Sequence, residues 1–317
     1  MIGRTLLAIV ALALLLLPRW LDIYWLNIGI TVMVWAALAS AWNLAGGLAG
    51  ALSLGHAAFL GIGAYTATLL FLQLGVSPWF GMFIGAALAA LLGAFLGLIT
   101  LRLRGPFFVL ATLAFGMAVH IIVVNWRSLT RGAAGLLLPF QGGAANMLFA
   151  EFSAYWYLAA GALGLTLLIV RMITRAPLGY FLAALREDEE AARALGVRVV
   201  VSKVSALTLS AGLTALIGAV YATFLQYIDP TVTTDFDLSV RLALIAIVGG
   251  AHSVLGPTVG ALIIIPLSEF LRARVGGGPA LVIYGVMLSV IVLIAPQGVI
   301  GLLERLRPHW RRHARAR

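Results

Sequence analysis

The feature that most constrains this chain is a run of apolar residues, nearly free of charge, that recurs from one end to the other. Ten such segments lie near 5–21, 24–43, 54–74, 79–101, 106–126, 153–171, 204–226, 238–252, 256–271 and 279–295. A bilayer core is crossed by a helix of roughly 20 apolar residues. A soluble domain carries about 25% charged residues, whereas this chain of 317 carries 10%, with a mean hydropathy of +1.08. The fold class is therefore all-α: a polytopic helical membrane protein of about ten spans, forming one transmembrane domain over 1–317. The eighth segment is short and Gly-rich, so the count falls to nine if it is re-entrant.

The opening MIGRTLLAIVALALLLLPRW places Arg4 before an apolar run, as a signal peptide does. No small-x-small cleavage site follows, and Pro18-Arg19-Trp20 is a poor one, so it reads as a retained first span. With the N-terminus inside, fifteen of the 21 basic residues fall on the inner side and six on the outer. Cytoplasmic loops of membrane proteins collect Lys and Arg. Both termini, the connection 171–203 and the basic tail 304–317 are thus expected in the cytoplasm. The same bias accounts for the net charge of +10 without nucleic-acid binding, and the tail reads as an inner-leaflet contact. The chain has no cysteine, which excludes disulfides, zinc–thiolate sites and iron–sulfur clusters.

Against this background, REDEEAARALG at 186–196 is anomalous: Glu187, Asp188, Glu189 and Glu190 are four of only eleven acidic residues. Its composition predicts a short helix over 184–196. Acids lie toward the start and Arg193 toward the end, which suits the helix dipole. Glu189 and Arg193 are spaced i, i+4 in the favourable order, and Gly196 can take the left-handed position that closes a helix. Ala183, Ala184, Ala191, Ala192 and Ala194 give it a small-residue face that lets another surface approach. Local physics alone leaves a solvated loop helix and a docking helix equally open.

The stretch REDEEAARALGV resembles the cytoplasmic coupling segment of ATP-binding-cassette (ABC) importer permeases, specifically the branched-chain amino-acid permease family. NLAGGLAGALSLGHAAFLGIGAYTATLL at 43–70, LRLRGPFFVLATLAFG at 101–116 and NWRSLTRGAAGL at 125–136 are similar to that family's signatures. So are VGGAHSVLGPTVGA at 248–261 and APQGVIGLLE at 295–304, in the family's order. The chain looks most like the longer of the two permease subunits that pair in such transporters. It departs from the family at Pro106-Phe107, where a polar residue and Tyr are frequent, and at Met117-Ala118, where an acid is common. A third departure is Arg131, which replaces a Gly of the outer loop.

The resemblance implies a transmembrane permease subunit of an ABC importer, forming the pathway for branched-chain or related small amino acids in the bacterial inner membrane. It implies a second permease subunit, cytoplasmic ATPase subunits and a soluble substrate-binding protein at the outer face, where 127–152 and 227–237 would receive it. Glu187, Asp188, Glu189, Glu190, Ala191, Ala192, Arg193 and Gly196 would couple to the ATPase. No G-x-x-x-x-G-K-[ST] occurs, so the chain holds no phosphate-cradling loop of its own, and no enzymatic activity or cofactor is expected. Urea or a short amide is the alternative cargo. An ATPase-independent carrier or channel is the alternative class, though only Glu269 places an acid clearly within a span, and carriers keep ionisable groups there.

Candidate pathway residues are Asn43, Ser53, His56, Tyr65 and Thr112. Gly46, Gly47, Gly50 and Gly55 mark a place where close helix packing, or a broken helix lining a cavity, is expected. Packing is the favoured reading for His56, bonded to a neighbour. Gly249, Gly250, Gly256 and Pro257 form a second such point, whose GAHSVLG echoes GHAAFLG at 55–61. His120 and His252 have no partner at metal-ligand spacing, so no metal site is expected.

Overall fold

The computed structural model describes residues 16–100, 105–140, 142–275, 285–286, 289, 293 and 297–305. Eight of the ten apolar segments are helices there. They are α1 (Ile23–Asn43), α2 (His56–Leu74), α3 (Pro78–Thr100), α4 (Pro106–Asn125) and α5 (Phe152–Arg175). After the short pair α6 (Pro177–Glu187) and α7 (Glu189–Ala194) come α8 (Val199–Leu225), α9 (Phe236–Gly249), α10 (Gly256–Val275) and the short α11 (Gly298–Arg305). Seven of these, α1 with its continuation to Leu48, α2, α3, α4, α5, α8 and α10, are long and apolar enough to cross a membrane. The first and tenth predicted spans lie mostly outside the described residues, as does the tail from 306. α9 has 14 residues, a rise of about 21 Å, which falls short of a ~30 Å hydrocarbon core.

Two predicted boundaries moved inward. α5 runs to Arg175 rather than 171, and α8 starts at Val199 rather than 204. Arg171, Arg175 and Lys203 do not end these helices, because long basic side chains reach the interface while their stems stay along the helix.

Packing follows composition. α1 is apolar all round and is buried nearly all round: Val34, Ala36, Ala37, Leu38, Ala39 and Ala41 have no exposed surface. It packs against α5, α8, α9 and α10, while α8 packs on α2 and α3. At the α2–α8 crossing, a side chain on Gly63 would overlap the backbone of Ala215, and one on Gly218 would overlap Leu60. Lipid offers helices no hydrophobic drive to associate, so close backbone approach at small residues does that work. The outer faces of α3 and α4 expose Leu91, Phe95, Leu98, Phe107, Leu110 and Ile121, which suits contact with hydrocarbon.

On the predicted outer side, β1 (Leu136–Leu137) pairs antiparallel with β2 (Tyr227–Ile228). Leu138 N donates to Gln226 O at 2.8 Å, and the Tyr227 hydroxyl to Ala134 O at 3.1 Å. The two connections read from sequence as separate loops thus form one platform. Arg131, standing where the resembled family has Gly, adopts φ 59°, the left-handed region that glycine enters without penalty.

Candidate functional site

The first Gly-rich point is a true break in the helix ladder. α1 loosens into a π-helical turn over Leu44–Leu48, and irregular backbone continues to Gly55, which caps α2. Irregular backbone inside a membrane protein persists only where other groups satisfy it. Here predicted and unpredicted side chains share that task. The Trp42 indole donates to Ser53 O at 2.8 Å, and Leu54 N donates to Thr112 Oγ1 at 3.1 Å. Ala57 N, one of the unpaired amides of the first turn of α2, donates to Ser239 Oγ at 2.9 Å.

His56 lies at the centre, with no exposed surface. Its Nε2 is 2.7 Å from Ser210 Oγ and its Nδ1 is 3.1 Å from Ser53 Oγ. Ser210 Oγ donates onward to Ala41 O at 2.6 Å. Since that hydroxyl proton is committed, Nε2 must carry the proton it gives to Ser210, and Nδ1 accepts from Ser53. His56 therefore bridges the break to α8, the packing role expected for it.

The second Gly-rich point meets the first. Asn43 Nδ2 donates to Ser253 O at 3.1 Å, 210 residues away, and a side chain on Gly47 would overlap Ala251 O. The structure also re-registers the echo between them. His56 is the first residue of α2, whereas His252 lies in the turn before α10. What corresponds is the frame: Gly46-Gly47 and Gly249-Gly250 open the two breaks, and Leu54-Gly55 and Leu255-Gly256 close them at the start of a helix.

Of the five candidate pathway residues, Asn43, Ser53, His56 and Thr112 have no exposed surface, and Tyr65 is 5% exposed. Beside them opens a groove of about 200 Å³, lined by Leu54, Ala57, Gly116, His120, Asp235 and Ser239 among others. Asp235 was expected in an outer loop. Instead the segment before α9 folds back along the bundle: Thr234 sits on Gly61, thirteen residues from the Leu74 end of α2, or about 20 Å along it. His120 Nδ1 lies 2.9 Å from Thr234 Oγ1. Among the described residues, no cluster of His, Asp or Glu has a metal-binding arrangement.

The acidic stretch is not one helix. Asp188 leaves helical geometry (φ −155°, ψ 110°), ending α6 and capping α7 by accepting from Glu190 N at 2.9 Å and Ala191 N at 3.0 Å. The residue counted as helix-forming thus acts as an N-cap, because a short carboxylate competes with the ladder for backbone amides. The Glu189–Arg193 pair forms at 3.0 Å, and Glu189 also takes Lys203 of α8 at 2.6 Å. Arg186 pairs with Glu187 at 2.7 Å. That hydrogen bond, with the guanidinium charge, holds the Glu187 carboxyl below the usual carboxylate range. Ala192 is buried with Leu185 and Val199, while Ala183, Ala184, Ala191, Ala194 and the 86% exposed Leu195 face outward. Gly196 takes φ 88°, as its closing role required.

Comparison with known proteins adds to this geometry. The family described as branched-chain amino acid transport system / permease component matches residues 24–295. The chain belongs to that family. It is the permease subunit of an ABC importer and a multi-pass membrane protein. It is 29% identical over 305 residues to the high-affinity branched-chain amino acid transport system permease protein LivM of Escherichia coli K12, covering 89% of this chain and 70% of that one. With the protein of the same name from Salmonella typhimurium LT2 it shares 28% identity over the same shares. No solved structure matches it. Within this permease, sequence reasoning passed over Ser210, Ser239 and Ser253. The available signal was a hydroxyl in an otherwise apolar span, too common to single out without knowing which residue it faces.

Proposed function

We propose that this permease pairs with a second permease subunit in the bacterial inner membrane to form a pathway for branched-chain or related small amino acids. Separate cytoplasmic ATPase subunits power it, and a soluble binding protein supplies substrate from outside. The observation that carries this reading is the family match over 24–295. The names of the two relatives support the choice of cargo.

Three parts of the chain divide the work. α6 and α7, with both termini on the same cytoplasmic side, dock the ATPase through the exposed surface of Glu187, Asp188, Glu190, Ala191 and Ala194. Ala192, packed on Val199, and Glu189, paired with Lys203, tie that surface to α8, and the exposed Arg193 braces Glu189. The groove beside His120 and Asp235 is a wall of the pathway, and Asn43, Ser53, His56, Tyr65 and Thr112 stand behind it and hold its shape. The β1–β2 platform, with Leu137 and Phe140 exposed, receives the binding protein.

Reconstitution in proteoliposomes with both ATPases, the second permease and the binding protein tests the assignment. Radiolabelled leucine, isoleucine or valine enters only with ATP and binding protein present. Uptake of urea or acetamide in preference to any amino acid reassigns the cargo and leaves the transporter class standing.

A further inference from the structure

We infer that Arg186 is a positioning residue: a strap by which the cytoplasmic segment holds the inner ends of both Gly-rich breaks. The inference rests on the coupling role proposed for α6 and α7, and adds the contact through which their displacement reaches the membrane interior.

Three observations meet at this side chain. First, Arg186 lies across Gly50. A Cβ placed on Gly50 would stand 3.4 Å from Arg186 Cγ, 3.6 Å from its Cα and 3.7 Å from its Cβ. Gly50 itself has φ 65°, so the first break turns back beneath the arginine where a side chain is least welcome. Second, Arg186 Nη1 lies 3.3 Å from Nδ1 of His252 in the second break. A guanidinium only donates, so His252 accepts through that nitrogen. Third, the other guanidinium nitrogen is held by Glu187 at 2.7 Å, at the junction where α6 gives way to Asp188. Arg186 is 25% exposed and Glu187 75% exposed, and Gly50 and His252 are themselves exposed, so Arg186 bridges the segment to the surface ends of the two breaks.

The two breaks are themselves joined by Asn43 and Ser253. A push on the segment through Arg186 therefore moves Gly50 and His252 together, and with them the backbone leading to Ser53, His56 and the groove. Lys203–Glu189 ties the segment to α8 only. Leu182 of α6 also packs on Leu44 and Ala49 of the first break, whereas Arg186 reaches both breaks, seated on the backbone of one and hydrogen-bonded to the other.

The chain has no cysteine, which gives a clean background for a test. The Cβ separation of 3.7 Å at positions 50 and 186 falls within the range a disulfide spans. In the full reconstituted transporter, Arg186→Ala is expected to retain the ATPase subunits and their ATP hydrolysis while uptake per ATP falls at least tenfold. The double variant G50C/R186C is expected to show the same loss when reduced and to recover most of it when oxidised, because the covalent link replaces the strap. Gly50→Cys alone controls for backbone strain. Wild-type uptake per ATP in Arg186→Ala, no disulfide on oxidation, or a crosslinked form as uncoupled as the reduced one would each overturn the inference. Loss of ATPase co-purification from Arg186→Ala would also overturn it, reassigning Arg186 to docking and leaving the coupling reading intact. That reading has a test of its own in the reversal of Glu187 and Glu190.

Discussion

Single side chains hold the broken backbone, and their contributions are open to measurement. Replacing Ser210 by Ala removes the acceptor for His56 Nε2 and strands that N–H in the interior, while Ala41 O keeps the Leu44 amide as a donor. An unpaired buried polar group costs about 1–3 kcal/mol. Ser210→Ala is therefore expected to be destabilised by ~1–3 kcal/mol in detergent denaturation. Adding His56→Ala to it should cost less than the sum of the two. Arg131 offers the opposite sign. It sits at φ 59°, where a side chain costs roughly 1–2 kcal/mol. Arg131→Gly regains part of that and loses some in unfolded-chain entropy, so a gain of about 0.5–1 kcal/mol is expected from the same measurement. Glu187 sets the pH behaviour of the cytoplasmic surface. Its carboxyl is held low by Arg186, so the pair is formed above the ordinary carboxylate pKa and lost only as pH falls through the lowered folded value. Uptake at neutral and mildly acidic pH should show no inflection from this residue.

Among the elements, α7 and the α2–α8 crossing carry the clearest expectations. Glu187→Lys with Glu190→Lys reverses the exposed charge of the segment without touching the Lys203–Glu189 tie or the Asp188 cap. ATP-driven uptake is expected to fall at least tenfold with membrane insertion unchanged, as read by proteoliposome transport and membrane fractionation. Full transport in this variant would remove the coupling role from the segment. Gly196→Leu should act in the same direction through backbone strain, since the space around Gly196 is open and only its φ of 88° resists a side chain. At the crossing, Gly63 has no such space. Gly63→Val must separate α2 from α8 at Ala215, and overpacking of this kind costs about 1–3 kcal/mol or more. The yield of monodisperse protein in detergent should fall accordingly.

For the whole molecule, only Glu269 places an acid clearly within a predicted span, where carriers keep ionisable groups, so a purified permease alone should move no amino acid under a proton or sodium gradient. Robust gradient-driven uptake would favour a self-powered carrier instead, with His120 and Asp235, which both line the groove, as the first groups to replace. The all-α membrane class, the helical cores of eight segments and the ion pair and closing glycine of the acidic stretch were all legible in the sequence. They rest on local quantities: hydropathy over a window, i, i+4 spacing, and a glycine at a helix end. The break at Asp188 was not legible, because a carboxylate that stabilises a helix start by charge also stops the preceding helix by capping, and composition is the same in both. Nor was the fold-back that carries Asp235 to the groove, since a polar segment between two spans reads as an outer loop whatever its path.

The sequence by itself determined that this chain lives in a bilayer, which segments become helices there, and that it is a permease of a recognisable family. Burial of apolar surface in lipid is decided segment by segment, so one chain suffices to read it. Only the tertiary structure decided that the two glycine-rich breaks touch, that Ser210 and Ser239 complete the polar bridges around His56, and that Arg186 reaches both breaks at once. Those contacts join residues up to 210 positions apart, and nothing in the neighbourhood of either partner along the chain records the other.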